Sequence, residues 1–174
     1  MAEPLMPLRT GLPAIVGPNP QVLILGSFPS EKSLDTGQYY ANTRNQFWRL
    51  LGSVLSFDPG HEYAQRIDAV TAGGVALWDV VHSCRRAGSL DNNIERKSLT
   101  LNDLSAFLGT HPTIQRVFVN GATAHDLFQR AADGPAATRL PSSSGALTTA
   151  FADKLTAWRA VISRPTKNRS IPQV

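Results

Sequence analysis

The sequence predicts an α/β fold, a three-layer α/β/α sandwich around a central, mostly parallel four-stranded sheet. Three observations carry that expectation. Short, continuous apolar runs mark strands buried on both faces, the usual condition of a parallel sheet. These runs alternate with stretches of helical periodicity, the order that builds a sheet covered by helices. The 174 residues fit one domain, since domains run to roughly 100–200 residues. Residues 1–163 are expected to form that domain, and residues 164–174, with Pro165 and Pro172, read as a frayed tail.

The first ordered element is expected at Val22–Gly26, an apolar run preceded by Pro18 and Pro20. Ser27-Phe28-Pro29-Ser30 turns the chain at the strand's carboxyl end. Residues 31–43 are polar and too long for a simple connector, as a ligand-contacting loop would be. Residues 45–55 place Phe47, Trp48, Leu50, Leu51, Val54 and Leu55 at helical spacing, and residues 61–72 form a second helix closed by Gly73-Gly74. Residues 75–81 read as the second strand, followed by a polar stretch over 82–93. Thr100-Leu-Asn-Asp103 resembles a capping box opening a helix that Gly109 ends. Residues 117–119 form the third strand, residues 123–132 a helix and residues 138–140 a fourth strand. Pro141-Ser-Ser-Ser-Gly145 is a loop, and residues 150–162 close the domain with Phe151, Leu155, Trp158 and Ile162 on one helix face. Every polar loop after a strand then falls on one sheet edge, where open α/β sheets bind ligands.

Composition narrows the function. Hydrophobic residues at 42% and charged residues at 17% exclude intrinsic disorder. One cysteine, Cys84, excludes an internal disulfide, an all-cysteine zinc site and a cysteine-ligated iron–sulfur cluster. His61, His82, His111 and His125 show no metal-ligand spacing, so no metal is expected. No apolar run reaches the ~18 residues of a membrane span, and residues 1–11 lack the apolar core of a secretory signal. A soluble, cytoplasmic monomer is the expectation. A net charge of +4 is compatible with a polyanionic partner such as nucleic acid, because phosphate contacts do not depend on base sequence.

No Walker loop and no G-x-G-x-x-G follows any strand, which argues against a nucleotide cofactor or a flavodoxin-like nucleotide-binding protein. Gly26-Ser-Phe-Pro-Ser30, Ser33-Leu34, Gln38-Tyr-Tyr40 and Arg44-Asn45-Gln-Phe-Trp48 stand out instead. Together they resemble the first motif of the uracil-DNA glycosylase superfamily, most closely the hypoxanthine-DNA (deoxyinosine) glycosylase branch. Trp78-Asp79-Val80 leading into Gly88-Ser-Leu-Asp91, and Asn120-Gly121 leading into Leu140-Pro-Ser-Ser-Ser144, agree in order and spacing. The resemblance covers about residues 22–162. It implies a monofunctional glycosylase that hydrolyses the N-glycosidic bond of deaminated bases in DNA, hypoxanthine first, in base excision repair and without cofactor.

Under that resemblance Asn45 is the catalytic residue, holding water where related glycosylases use an Asp or Asn at the position of Phe28. Tyr40 takes the position that stacks on the flipped base, with Phe28 also lining the base site. Asn120 reads the base or stabilises its departure. Hypoxanthine pairs a carbonyl acceptor at O6 with an N1–H donor, uracil pairs O4 with N3–H, and one carboxamide matches either edge. Ser142, Ser143, Ser144, Gly145 and Ala146, with Arg44, are expected to contact DNA, Leu147 ending a wedge into the duplex. Each residue type also has an ordinary use: Asn45 as a helix cap, Tyr40 in the core, Asn120 in an Asn-Gly turn. Arg85, Arg86 and Arg139 border the loops and suit the DNA backbone. No lysine lies within the motifs to form a Schiff base, Lys32 being the nearest. Thr43 stands where the branch usually has proline and Asn42 where histidine is frequent, departures that bear on rate and substrate range. The alternatives are a broader uracil-DNA glycosylase, or a weakly active or non-catalytic module that binds damaged DNA.

Overall fold

The computed structural model describes residues 6–131 and 136–163. In chain order the elements are β1 (Arg9–Thr10), β2 (Val22–Gly26), α1 (Glu31–Thr36), α2 (Phe47–Leu55), α3 (Tyr63–Ala72), β3 (Val75–Asp79), β4 (Val81–Cys84), β5 (Thr100–Leu101), α4 (Leu104–Thr110), β6 (Arg116–Asn120), α5 (Ala122–Arg130), β7 (Ala137–Leu140) and α6 (Phe151–Trp158). The central sheet runs β3-β2-β6-β7 with every pairing parallel. Strand β2 shows why the centre of the sheet is apolar. Val22 and Ile24 point into one core with Phe47, Trp48, Val70 and Trp158 from α2, α3 and α6. Leu23 and Leu25 point into the other with Leu104, Leu127 and Phe128 from α4 and α5. A strand with two buried faces has no polar side, so its sequence does not alternate.

Several boundaries differ from the sequence reading. The first ordered element is β1, not β2; Arg9 and Thr10 pair antiparallel with Cys84 and Ser83. The run over 75–81 is two strands. After Asp79 the chain leaves the parallel sheet, and β4 enters a second sheet of order β1-β4-β5. Val80 and Val81 are buried in the second core, so hydrophobicity runs unbroken through the change of sheet. The polar stretch over 31–43 contains α1, whose cap is Ser30 Oγ accepting from Ser33 N–H at 3.1 Å. Six residues are too few to show a period. Thr100 lies in β5 and the cap of α4 is Asp103, whose Oδ1 accepts from Ala106 N–H at 2.9 Å; Gly109 sits inside that helix. The last turn of the closing helix tightens into a 3-10 turn over Arg159–Val161, which buries Val161 and leaves Ile162 52% exposed. The expected tail over 164–174 and the helix end at Ala132 lie outside the described residues. Among the described residues, no helix is long and apolar enough to cross a membrane.

Trp158 ties the last helix to the sheet. It is fully buried, meets the Phe47 ring edge-to-face at 5.7 Å, and its indole N–H donates to the Pro141 carbonyl at 3.0 Å. Replacing a buried Trp by Ala costs about 3–5 kcal/mol through lost burial and a residual cavity. Trp158→Ala is therefore expected to lower unfolding stability by that order, read from the midpoint of a urea transition at unchanged slope.

Candidate active site

Gly26, Asp79 and Asn120 are the last residues of β2, β3 and β6, and β7 ends one residue before Pro141. Parallel strands bring these ends to a single edge. A pocket of about 430 Å³ opens there, lined by Gly26, Phe28, Tyr40, Asn45, Asp79 and Asn120 among others. Each of these was singled out or quoted in a motif, and the fold gathers them from more than ninety residues of chain.

Tyr40 is fixed from two sides. Its ring stacks on Phe47, centroids 3.6 Å apart and planes 8° from parallel. Its hydroxyl accepts from Asn120 Nδ2 at 3.2 Å. Burial pushes the phenol well above its usual pKa, with nearby Asp79 adding in the same direction, so the hydroxyl stays protonated. The backbone is held at φ +52°, a left-handed conformation that costs a bulky residue on the order of 1–3 kcal/mol. Tyr39 beside it is a core residue, its hydroxyl donating to the Pro13 carbonyl at 3.0 Å.

Asn120 is more committed than an exposed turn residue. Nδ2 also donates to Ser143 Oγ at 2.8 Å, and Oδ1 accepts from Ser143 N–H at 2.9 Å. Both amide hydrogens are used within the protein, and one Oδ1 lone pair is left. Asn45 lies at the entry to α2 with its Oδ1 accepting from Phe47 N–H at 2.9 Å. That bond caps the helix start and fixes the carboxamide, leaving a second lone pair at the pocket wall.

Phe28 is buried in the second core, with the Arg86 guanidinium 4.9 Å over its ring. Arg86 turns inward rather than toward the surface, contrary to the expectation that it borders a DNA-facing loop. Its Nε donates to the Gly88 carbonyl at 2.9 Å, and its other nitrogens donate to the Phe28 and Pro29 carbonyls. Arg85 likewise donates to the Met6 carbonyl. Arg86 therefore welds the turn after β2 to the loop after β4.

Asp79 had no role in the sequence reading beyond its place in Trp78-Asp79-Val80. The residue is 4% exposed, and its Oδ2 has no hydrogen-bond partner among the described residues. Burial drives its carboxyl up to about 7, Asp91 adding and Arg86 opposing. It stands opposite Gly26 in the β2–β3 register. A Cβ on Gly26 would lie 2.4 Å from Asp79 Oδ1 and 2.9 Å from the Tyr40 hydroxyl. Asp91 lines the same pocket and takes the Ser27 hydroxyl at 2.7 Å. A buried carboxyl without a partner is the signal that sequence inspection lacks, since burial is invisible before folding.

The serine loop divides. Ser143 is fully buried and turned toward Asn120, so its hydroxyl is not presented outward as the sequence reading expected. Ser142, Ser143, Ser144, Ala146 and Leu147 all line the pocket, Gly145 packs on the Arg44 backbone, and Leu147 is 38% exposed. Arg44 is exposed but not part of the pocket lining. Fully buried Lys154 anchors the loop, donating to the Ser144 and Leu147 carbonyls and to Gln46 Oε1 at 3.1, 2.9 and 3.0 Å. All three ammonium hydrogens are taken, which leaves no free amine. Among the described residues, no group of three or more His, Cys, Asp or Glu side chains could hold a metal ion.

The profile of the Uracil DNA glycosylase superfamily matches residues 13–163. This chain belongs to that superfamily. It is 32% identical over 159 residues to a Methanosarcina barkeri protein named hypoxanthine DNA glycosylase, covering 90% of this chain and 99% of that protein. A Methanosarcina acetivorans protein of the same name is also 32% identical, over 88% of this chain and 98% of its own length. The fold matches a solution NMR structure from Methanosarcina acetivorans, provisionally described as a uracil DNA glycosylase, with a TM-score of 0.75 at 32% identity over 88% of this chain and 96% of that one. The sheet and its covering helices thus belong to a fold shared with that structure.

Asp79 makes stability depend on pH. Its carboxyl is raised in the native state from the ordinary 3.8 to about 7. Between those values the native chain holds a proton that the unfolded chain has lost, so stability falls as pH rises through the window. Asp79→Asn removes that loss. The variant is expected to melt above the wild type at about pH 8, by on the order of 1–3 kcal/mol, with the gap closing toward about pH 4. Thermal unfolding at the two pH values checks it.

Proposed function

We propose that this protein is a monofunctional DNA glycosylase that removes deaminated bases, hypoxanthine first, by hydrolysing the N-glycosidic bond. The observation that carries the reading is the shared pocket wall of a braced aromatic, Tyr40, and a braced carboxamide, Asn45. A base inside the stack is unreachable, so the nucleotide is flipped at a cost of a few kcal/mol. Stacking on an aromatic ring returns on the order of 1–3 kcal/mol per base. Phe47 and Asn120 hold Tyr40 rigid for that contact, and Phe28 forms part of the same lining.

The spare lone pair of Asn45 accepts a hydrogen from a water molecule and leaves the water's oxygen free to approach the anomeric carbon. Bond cleavage passes through an oxocarbenium-like state, which a positioned water can capture without a strong base. The remaining lone pair of Asn120 Oδ1 accepts N1–H of hypoxanthine, or N3–H of uracil in a broader substrate range. Ser142, Ser144 and Ala146 of the pocket lining, with Gly145 and Arg44 beside them, meet the DNA backbone, while Ser143 shapes the loop from within and Leu147 fills the gap in the stack. Saturation of Lys154 by three acceptors supports hydrolysis over Schiff-base chemistry. The product abasic site belongs to base excision repair. The enzyme works as a cytoplasmic monomer without metal or cofactor.

The test is strand breakage by alkali after incubation with duplexes carrying one hypoxanthine, uracil or xanthine. The wild type is expected to produce breaks at hypoxanthine. Asn45→Ala is expected to lose at least about 100-fold in single-turnover rate, the scale of losing a positioned reactant. Equal rates in both proteins overturn the role of Asn45, and tight binding without breaks identifies a damage-binding module instead.

A further inference from the structure

Asp79 is the buried group that the proposed hydrolysis leaves unused. It closes the strand next to β2, is only 4% exposed, and lines the pocket with one oxygen unpartnered among the described residues. A pocket built only to stack a base and hold a water would place a neutral residue there, because an unpaired buried carboxylate is costly. Gly26 and Asp79 meet in register, and only the missing side chain at Gly26 admits the carboxyl and the Tyr40 hydroxyl to the same point.

We propose that Asp79 is the general acid for the departing purine, donating its proton to N7 of flipped hypoxanthine as the C1′–N9 bond breaks. The inference rests on the glycosylase reading and names a chemical duty within that site. In the step the Asp79 carboxyl proton bonds to N7 while the C1′–N9 electron pair moves to N9. The base leaves as neutral hypoxanthine rather than as an anion. Water held by Asn45 bonds to C1′, its proton passes to solvent, and Asp79 regains a proton from solvent. Atoms and charge balance without metal, oxidant or reductant.

The surroundings suit that duty. Asp91 from the loop after β4 raises the carboxyl and Arg86 opposes it, while the neighbouring Tyr39 and Tyr40 phenols are pushed upward and carry no charge. Ser27 holds Asp91 at 2.7 Å, and Arg86 stands 3.9 Å from Asp91. Burial is the leading cause of the upward shift, and the resulting value near 7 keeps a useful fraction of Asp79 protonated at neutral pH. Uracil leaves without a basic ring nitrogen to protonate, so its excision does not draw on this proton.

The experiment compares single-turnover rates from about pH 5 to about pH 9 for the wild type and Asp79→Asn. The duplexes carry deoxyinosine, 7-deaza-2′-deoxyinosine or deoxyuridine. The 7-deaza base keeps the O6 and N1–H edge and lacks only the N7 acceptor. On deoxyinosine the wild-type rate is expected to fall on the alkaline side, and Asp79→Asn is expected to lose about 100-fold or more and flatten that limb. Binding of the 7-deaza duplex by the wild type is expected to match that of deoxyinosine, with cleavage lost by a similar factor. An alkaline limb that persists in Asp79→Asn overturns the proposal. So does 7-deaza cleavage at the deoxyinosine rate, a result that needs no variant to fold. Absence of breaks by the wild type on every duplex, deoxyuridine included, strikes the glycosylase reading instead.

Discussion

A missing side chain organises this site. Strands β2 and β3 pair in parallel with Gly26 beside Asp79, and the space where a methyl group would sit is bordered by a carboxyl oxygen and a phenol oxygen. Tyr40 reaches that space because Phe47 stacks beneath the ring and Asn120 holds the hydroxyl. Asn120 in turn grips Ser143, Ser143 receives Gln46 N–H at 2.9 Å, and Gln46 precedes the helix whose start Asn45 caps. These hydrogen bonds link Tyr40, the end of β6, the serine loop and the start of α2 beside the Asn45 carboxamide.

The cost of this arrangement is local and its support is spread. Tyr40 is held in a left-handed conformation, and Asp79 is buried with one oxygen that has no hydrogen-bond partner among the described residues, features that destabilise a fold where they occur. Opposing them are two apolar cores, one on each face of the sheet, with β2 contributing alternate residues to both. Buried Arg86 and Lys154 act as clamps rather than as ligands of DNA. Each spends its donors on backbone carbonyls of pocket loops, which keeps those loops in one conformation before any substrate arrives.

The architecture was legible because a parallel sheet writes unbroken apolar runs, and the motif residues were legible because their spacing is unusual. The apolar run Val22–Gly26 has the bounds of β2, and the motif spacing singles out Asn45, Tyr40 and Asn120, which share one pocket. What escaped had physical reasons. The change of sheet after Asp79 leaves no mark, since Val80 and Val81 stay apolar in the second core. The two-residue strand β1 and the six-residue helix α1 are too short for periodicity. Arg86, Lys154 and Ser143 look like surface residues in a sequence, and only the fold turns them inward. Asp79 was visible as a letter in a motif, but its solitude is a property of packing.

The central claim is that the vacancy at Gly26 sets the positions of Asp79 and Tyr40, and through them the chemistry. Single-turnover excision of hypoxanthine by Gly26→Ala, in protein shown by circular dichroism to be folded, tests it most directly. A displacement near 1 Å at a reacting group can cost about 100-fold, and the account predicts a loss of at least that size with secondary structure intact. A folded Gly26→Ala that excises the base at the wild-type rate would contradict it.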